Sequence, residues 1–220
     1  MGISLREKIY FKIRNEITFG NLMPGQRLVE ANLAHQFNAS RSPIREALRQ
    51  LESEGFIQLE RNKGITVSNL SIEQVSEIYD IRWLIESYAT SICARKINEK
   101  QLTYLKEIHN ILRKAAKESD YISWLKNNAS FHNFFSDNCG NTNLVQILDI
   151  LKRRVFRYHY IAVRSPMNFK NYLEHHEGIL RACEKNDGDM AEKYMKEHLA
   201  YVKKVILDDL NFNIGILEGI

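Results

Sequence analysis

The chain has 220 residues, 44% of them hydrophobic and 26% charged, a balance that suits two globular domains and excludes a fibrous or disordered tail. A formal net charge of +4 declares no partner by itself, but residues 1–70 carry ten Lys and Arg against seven Asp and Glu while the rest carry 21 against 20, so the excess is N-terminal. Cys93, Cys139 and Cys183 are odd in number and lack CxxC spacing, no apolar run nears the roughly 20 residues of a membrane span, and no basic stretch leads into a signal core, so a reduced, cytoplasmic protein away from membranes is expected.

Leu5, Ile9, Ile13 and Ile17 stand four apart, which predicts a first helix over residues 4–19 with Gly20 as its stop. Met23-Pro24-Gly25 reads as a turn, and residues 29–37 form a short second helix with Leu33, Ala34 and Phe37 inward. Ser40 caps a third helix whose apolar positions Ile44, Ala47, Leu48 and Leu51 keep helical spacing until Gly55. Residues 56–60 and 65–68 then read as strands joined by Arg61-Asn62-Lys63-Gly64. Three helices and a hairpin within 1–70 predict a winged helix-turn-helix.

From Ser71 the character changes, with Ser71-Ile72-Glu73-Gln74 patterned as a capping box and a helix running to about Lys96. Further helices are expected over residues 98–119, 120–138, 141–164, 168–185 and 189–211, bounded by Asn, Asp, Gly or Pro. The fold class is therefore mainly α, with a six-helix bundle over 71–220 whose short loops make sequential neighbours antiparallel.

The segment Ser40-Arg41-Ser42-Pro43-Ile44-Arg45-Glu46-Ala47-Leu48 carries the most information. Arg41, Ser42 and Arg45 fall on the side away from Ile44, Ala47 and Leu48, so a core-anchored helix offers guanidinium groups outward at its leading end. A planar Arg matches the acceptor pair on guanine in the major groove, and the helix N-terminus favours phosphate. Pro43 lies early enough that its missing N–H costs nothing. The plain alternative is a solvated surface helix, which is also the favoured reading of Arg6, Lys8, Lys12 and Arg14 on the first helix.

These residues, together with Gly20, Pro24-Gly25-Gln26-Arg27-Leu28, Leu33-Ala34, Leu51-Glu52, Glu54-Gly55, Gly64 and Val67, resemble the GntR family of bacterial regulators across the first 70 positions. The resemblance implies that Arg41, Ser42, Pro43 and Arg45 sit against an operator and that Arg61, Asn62, Lys63 and Gly64 form the wing contact. One departure is Ala31-Asn32, where some members carry another DNA-contacting Arg.

In the bundle, Asn128 and His132 are four apart and share a helix face. His176 and His198 each lie eleven residues from Asp187, so an antiparallel hairpin sets them at one height. A third helix bringing Asn128 and His132 against them completes a donor set suited to zinc, nickel or manganese. The alternative is that these histidines bridge helices as satisfied core residues; His175, about 100° round the helix from His176, is expected at the surface, and His35, His109 and His159 are expected to be structural or solvated. Arg82, on an otherwise apolar helix, either pairs internally with Glu86 or clamps an effector carboxylate.

With Arg82, Glu86, Phe131-His132 and Glu197-His198, the bundle resembles the FCD ligand-binding domain of the FadR branch, in its shorter, VanR-like form. In many such domains an Asp and three His hold a metal whose coordination a small carboxylate completes, and here the Asp position is Asn128. The expectation is thus a non-enzymatic, dimeric transcriptional regulator that binds double-stranded operator DNA through 1–70 and an organic-acid effector through 71–220. Two alternatives stay open: a metal-dependent enzyme fused to a DNA-binding module, and a bundle that serves only to dimerise.

Overall fold

A computed structural model describes residues 3–60, 64–163 and 166–218, which divide into two compact units: residues 1–71 with 152–157, and residues 72–151 with 158–220. The first unit opens with α1 (Leu5–Thr18), whose start is fixed by a capping box in which Ser4 accepts from the Glu7 N–H and the Glu7 carboxylate accepts in return. Then come α2 (Glu30–Gln36), α3 (Arg41–Ser53) and the antiparallel hairpin β1 (Ile57–Glu60) and β2 (Gly64–Val67), with Ile57 opposite Val67 and Glu60 opposite Gly64. Ile9, Ile13 and Ile17 of α1 meet Ile44, Ala47, Leu48 and Leu51 of α3 in a core closed by Leu28, Phe56, Ile57 and Val67. Leu5, expected on the inner face, is 48% exposed, and Tyr10 is buried in its place.

The hairpin gains a neighbour that alternation did not predict. Residues 25–28 run beside β2, with Arg27 bridged to Thr66, the Leu28 N–H donating to Ile65 O at 2.8 Å and the Val67 N–H to Gln26 O at 2.9 Å. Pro24-Gly25 turns the chain into this edge, and Gly25 takes a φ of 74° that a side chain would resist.

The second unit is all helical: α4 (Ile72–Ala94), α5 (Glu99–Glu118), α6 (Tyr121–Asn138), α7 (Thr142–Val155), α8 (Tyr158–Val163), α9 (Pro166–Glu184) and α10 (Gly188–Glu218), the end of α7 belonging to the first unit. Asn98 and Gln101 cap α5 reciprocally, and Asp120 accepts from the Ser123 N–H to start α6. The helix expected over 141–164 is two, broken at Phe156 and Arg157. Neither Gly nor Pro marks that break. Its cause is tertiary: within the first unit Phe156 packs edge-on against Phe56, the Arg14 guanidinium lies over the Phe156 ring, and Arg157 donates to the Ser68 carbonyl. No helix among the described residues is long and apolar enough to cross a membrane.

Candidate nucleic-acid interface and metal centre

The strongly amphipathic α3 buries Ile44, Ala47, Leu48 and Leu51 and leaves Arg41, Ser42 and Arg45 exposed, with Pro43 half-buried in its first turn. Ser40 is the N-cap residue in extended conformation, although its side chain makes no capping bond. Arg41 forms no hydrogen bond or ion pair among the described residues, so its guanidinium is available. Arg45 is held by its Nε to Glu30 Oε2 at 2.9 Å, with 55% of its side chain exposed. Ser42 Oγ lies 3.4 Å from Glu46 Oε1. Gly64 begins β2 with a φ of 77°; Arg61, Asn62 and Lys63 lie outside the described residues.

In the second unit, His132 of α6, His176 of α9 and His198 of α10 converge, and one ring nitrogen from each lies within 4.8 Å of the others. The turn between α9 and α10 makes this possible: Asn186 adopts a φ of 51°, the Asp187 N–H donates to Ala182 O, and Asp187 caps the Met190 N–H. The His176 and His198 rings then stand 4.6 Å apart between centroids. Phe131 stacks on His176 at 4.2 Å, with Trp124 near-parallel at 6.5 Å, so the ring orientation is fixed by aromatic packing.

His132 Nδ1 donates to Glu86 Oε1 at 2.7 Å, a carboxylate partner that orients the imidazole and leaves Nε2 as the lone pair. That Nε2 faces His198 Nε2 at 3.1 Å. Two nitrogens bound tetrahedrally to one zinc ion at about 2.0–2.1 Å stand about 3.3 Å apart, close to this spacing. Among the described residues neither ring nitrogen of the wholly buried His176 has a partner, nor does His198 Nδ1. A buried, unsatisfied polar group costs about 1–3 kcal/mol, and an ion accepting these lone pairs relieves part of that cost. Burial first, and neighbouring imidazoles second, hold His176 and His198 well below the ordinary histidine pKa, so both rings are neutral and offer lone pairs. The donor set fits a divalent metal.

Asn128 and Arg82 line one pocket with His132, His159 and His198, floored by apolar groups such as Leu125, Tyr172 and Val202. The Asn128 amide makes no hydrogen bond among the described residues. Arg82 is buried and largely committed: its Nε and Nη2 both donate to Glu86 Oε2, at 3.0 and 2.9 Å, and its guanidinium lies 4.9 Å over the Tyr79 ring. Only Nη1 turns elsewhere, 3.3 Å from His159 Nε2. The internal pairing of Arg82 with Glu86 is therefore present, and Glu86 also serves His132.

Three histidines take places that sequence reasoning passed over. His159 meets Arg82; His109, buried on α5, lies edge-on to His176 at 6.3 Å; and His175, expected at the surface, is half-buried with its ring 5.8 Å from His198. A signal existed for His109, which sits between Leu105 and Leu112 on the buried face of α5. Nothing local marked His159.

Both units match known families. Residues 5–67 match the model of bacterial regulatory proteins of the gntR family, and residues 77–201 match the FCD domain. The chain is 27% identical over 206 residues to the gluconate operon transcriptional repressor of Bacillus licheniformis, covering 91% of this chain and 84% of that one. It is also 27% identical over 202 residues to the HTH-type transcriptional repressor RspR of Escherichia coli, covering 92% and 89%. Among solved structures, E. coli McbR/YncC superposes with a TM-score of 0.73 at 24% identity over 99% of both chains. A putative GntR regulator from Rhodococcus sp. RHA1 gives 0.76 at 18% identity, over 94% of this chain and 99% of that one. A winged reader with an outward arginine face, followed by an FCD domain over more than half its length, makes this chain a member of the GntR family of bacterial transcriptional regulators.

Proposed function

We propose that the chain is a homodimeric, effector-controlled regulator whose helical unit binds a divalent metal through His132, His176 and His198, with a small organic acid as the controlling ligand. The observation that carries the reading is His176, a wholly buried imidazole with both nitrogens unpartnered among the described residues, within reach of two further buried histidines. When bound, zinc, nickel or manganese gives the pocket a fixed positive charge that a carboxylate oxygen coordinates. Around it, Glu86 orients His132, and Arg82 Nη1 with His159 offers the second carboxylate oxygen its hydrogen bonds. Asn128 is the fourth protein donor, a neutral amide in place of a carboxylate, which lowers metal affinity and leaves the metal more electrophilic towards an anionic effector. The carboxylate that touches the cluster, Glu86, is held by Arg82 and by His132 Nδ1 rather than free to act as a base for hydrolysis, which favours a binding site over an enzyme.

Two copies would present two α3 helices to a two-fold related operator, adding their contributions to selectivity. Support for the dimer comes from apolar side chains left at the surface on adjoining helices. Ile81, Leu84 and Tyr88 are 45%, 58% and 52% exposed along one side of α4, and Ile147 and Ile150 are 50% and 54% exposed on α7.

The test uses the full chain treated with EDTA and an operator selected from genomic fragments. Zinc, nickel and manganese are added singly and each form is screened against small mono- and dicarboxylates, reading melting temperature and operator affinity. A metal that raises the melting temperature, and an acid that shifts operator affinity only in its presence, are expected. Melting and operator binding that ignore every combination overturn the reading.

A further inference from the structure

We propose that Arg27 is a further DNA contact of the reader unit, a phosphate-binding guanidinium standing between the recognition helix and the hairpin; the inference rests on the assignment of α3 as the reader.

The backbone of Arg27 is fixed from both sides of β2's edge, by its bridge to Thr66 and by the flanking bonds from Leu28 N–H to Ile65 O and from Val67 N–H to Gln26 O. Its side chain is exposed. The guanidinium extends to the near end of the hairpin, where Nε and Nη2 lie 3.8 Å from the position a Cβ would occupy on Gly64. Three residues further on, Glu30 opens α2 and holds Arg45 of the recognition helix. The stretch 27–30 thus joins the two elements by which this unit addresses DNA.

Duplex geometry says what such a position meets. With α3 in the major groove and the hairpin at the adjoining minor groove, the unit straddles the one sugar-phosphate strand that separates the grooves. A cation fixed between helix and hairpin faces that strand. Arg27 has its charge to spare: it forms no hydrogen bond or ion pair among the described residues, whereas Arg45, one element away, is engaged with Glu30 in the absence of DNA. A planar guanidinium with two free edges suits paired phosphate oxygens. No base edge lies opposite this position, so the contact is blind to sequence and adds affinity alike to operator and to random duplex.

That property sets the experiment. The full chain binds a fluorescent random-sequence duplex, and affinity is measured across a salt series for the wild type, Arg27→Ala, Arg27→Lys and Arg41→Ala. Each phosphate contact contributes about 0.9 to the slope of log affinity against log salt, so Arg27→Ala is expected to lower the slope by about that amount for every copy of the chain bound. Arg27→Lys is expected to keep the slope. Because the slope counts released counterions, a loss of active protein does not imitate it, and melting temperature checks the fold separately. If Arg27→Ala binds with the wild-type slope and affinity while Arg41→Ala binds weakly, the assignment of Arg27 is overturned and the reader stands. If all variants bind alike, the reader assignment of α3 falls, and the Arg27 contact with it.

Discussion

Arg45 is held in place before DNA arrives, and the hold is light. Its bond to Glu30 lies at the surface, where an exposed ion pair contributes at most about 1 kcal/mol, so on the proposed reading guanine acceptors in a desolvated groove would outcompete the carboxylate. Arg45→Ala is therefore expected to weaken operator binding by about 1–3 kcal/mol and to relax selectivity at one base position. Competition between operator and scrambled duplex measures both, and unchanged discrimination would remove Arg45 from base reading. The opposite regime holds at Glu86, which is wholly buried, accepts two bonds from Arg82 and orients His132. Removing it leaves a guanidinium uncompensated in the interior. Glu86→Ala is expected to destabilise the helical unit by about 3–5 kcal/mol, read as a fall in its melting temperature. Half of this arrangement is legible in the sequence, since Arg82 and Glu86 stand one helical turn apart. The other half is not, because His132 comes from another helix 46 residues on, and a periodicity says which face a residue occupies without saying what faces it.

Among helices, the approach of α9 to α10 determines whether the histidine cluster exists. Gly178, two residues after His176, abuts Tyr194, one turn before His198, so closely that a Cβ there would stand 2.8 Å from the tyrosine ring. Adding that methyl forces the helices apart where they hold His176 against His198. Gly178→Ala is expected to cost about 1–3 kcal/mol, the usual range for overpacking, and to lower metal retention after gel filtration. A variant that melts and holds metal like the wild type would show that Tyr194 simply rotates away. The matched heights of His176 and His198 about Asp187 are readable from spacing alone, because a tight turn between two helices is a ruler. The break in the 141–164 stretch is not, since the helical pattern runs on through Phe156 and Arg157 and only partners from the first unit, Phe56, Arg14 and the Ser68 carbonyl, hold them out of line. The bridge of residues 25–28 to β2 was hidden for a like reason: Pro24-Gly25 marks a turn, but an edge too short to alternate shows no period.

For the molecule as a whole, the proposed dimer and the protonation of buried histidines offer separate handles. A charge in the exposed apolar face of α4 would oppose a self-complementary contact without touching either core, so Leu84→Glu is expected to leave a folded monomer by light scattering and to weaken operator binding by about 10²-fold or more through loss of the linked second reader; a dimer that persists would place the interface elsewhere. The histidines divide unequally between the units, and only exposed His35 belongs to the reader. In the helical unit burial lowers the pKa of His109 and His175, and of His176 and His198 by much more. Above about pH 6.5 these rings are neutral whether folded or not and add no pH dependence. Below it the unfolded chain takes up protons that the folded interior refuses, so stability falls with pH, by about 1.4 kcal/mol per unit for each ring still neutral in the fold. The reader's depressed carboxylates, Glu7 and Glu16, titrate only at more acid pH. Calorimetry of the metal-free chain between about pH 7.5 and 5.5 is therefore expected to show the transition of the helical unit moving down steeply while that of the reader stays nearly still. Transitions that shift together, or a helical unit indifferent to acid, would mean that His176 and His198 find protons or partners inside the fold.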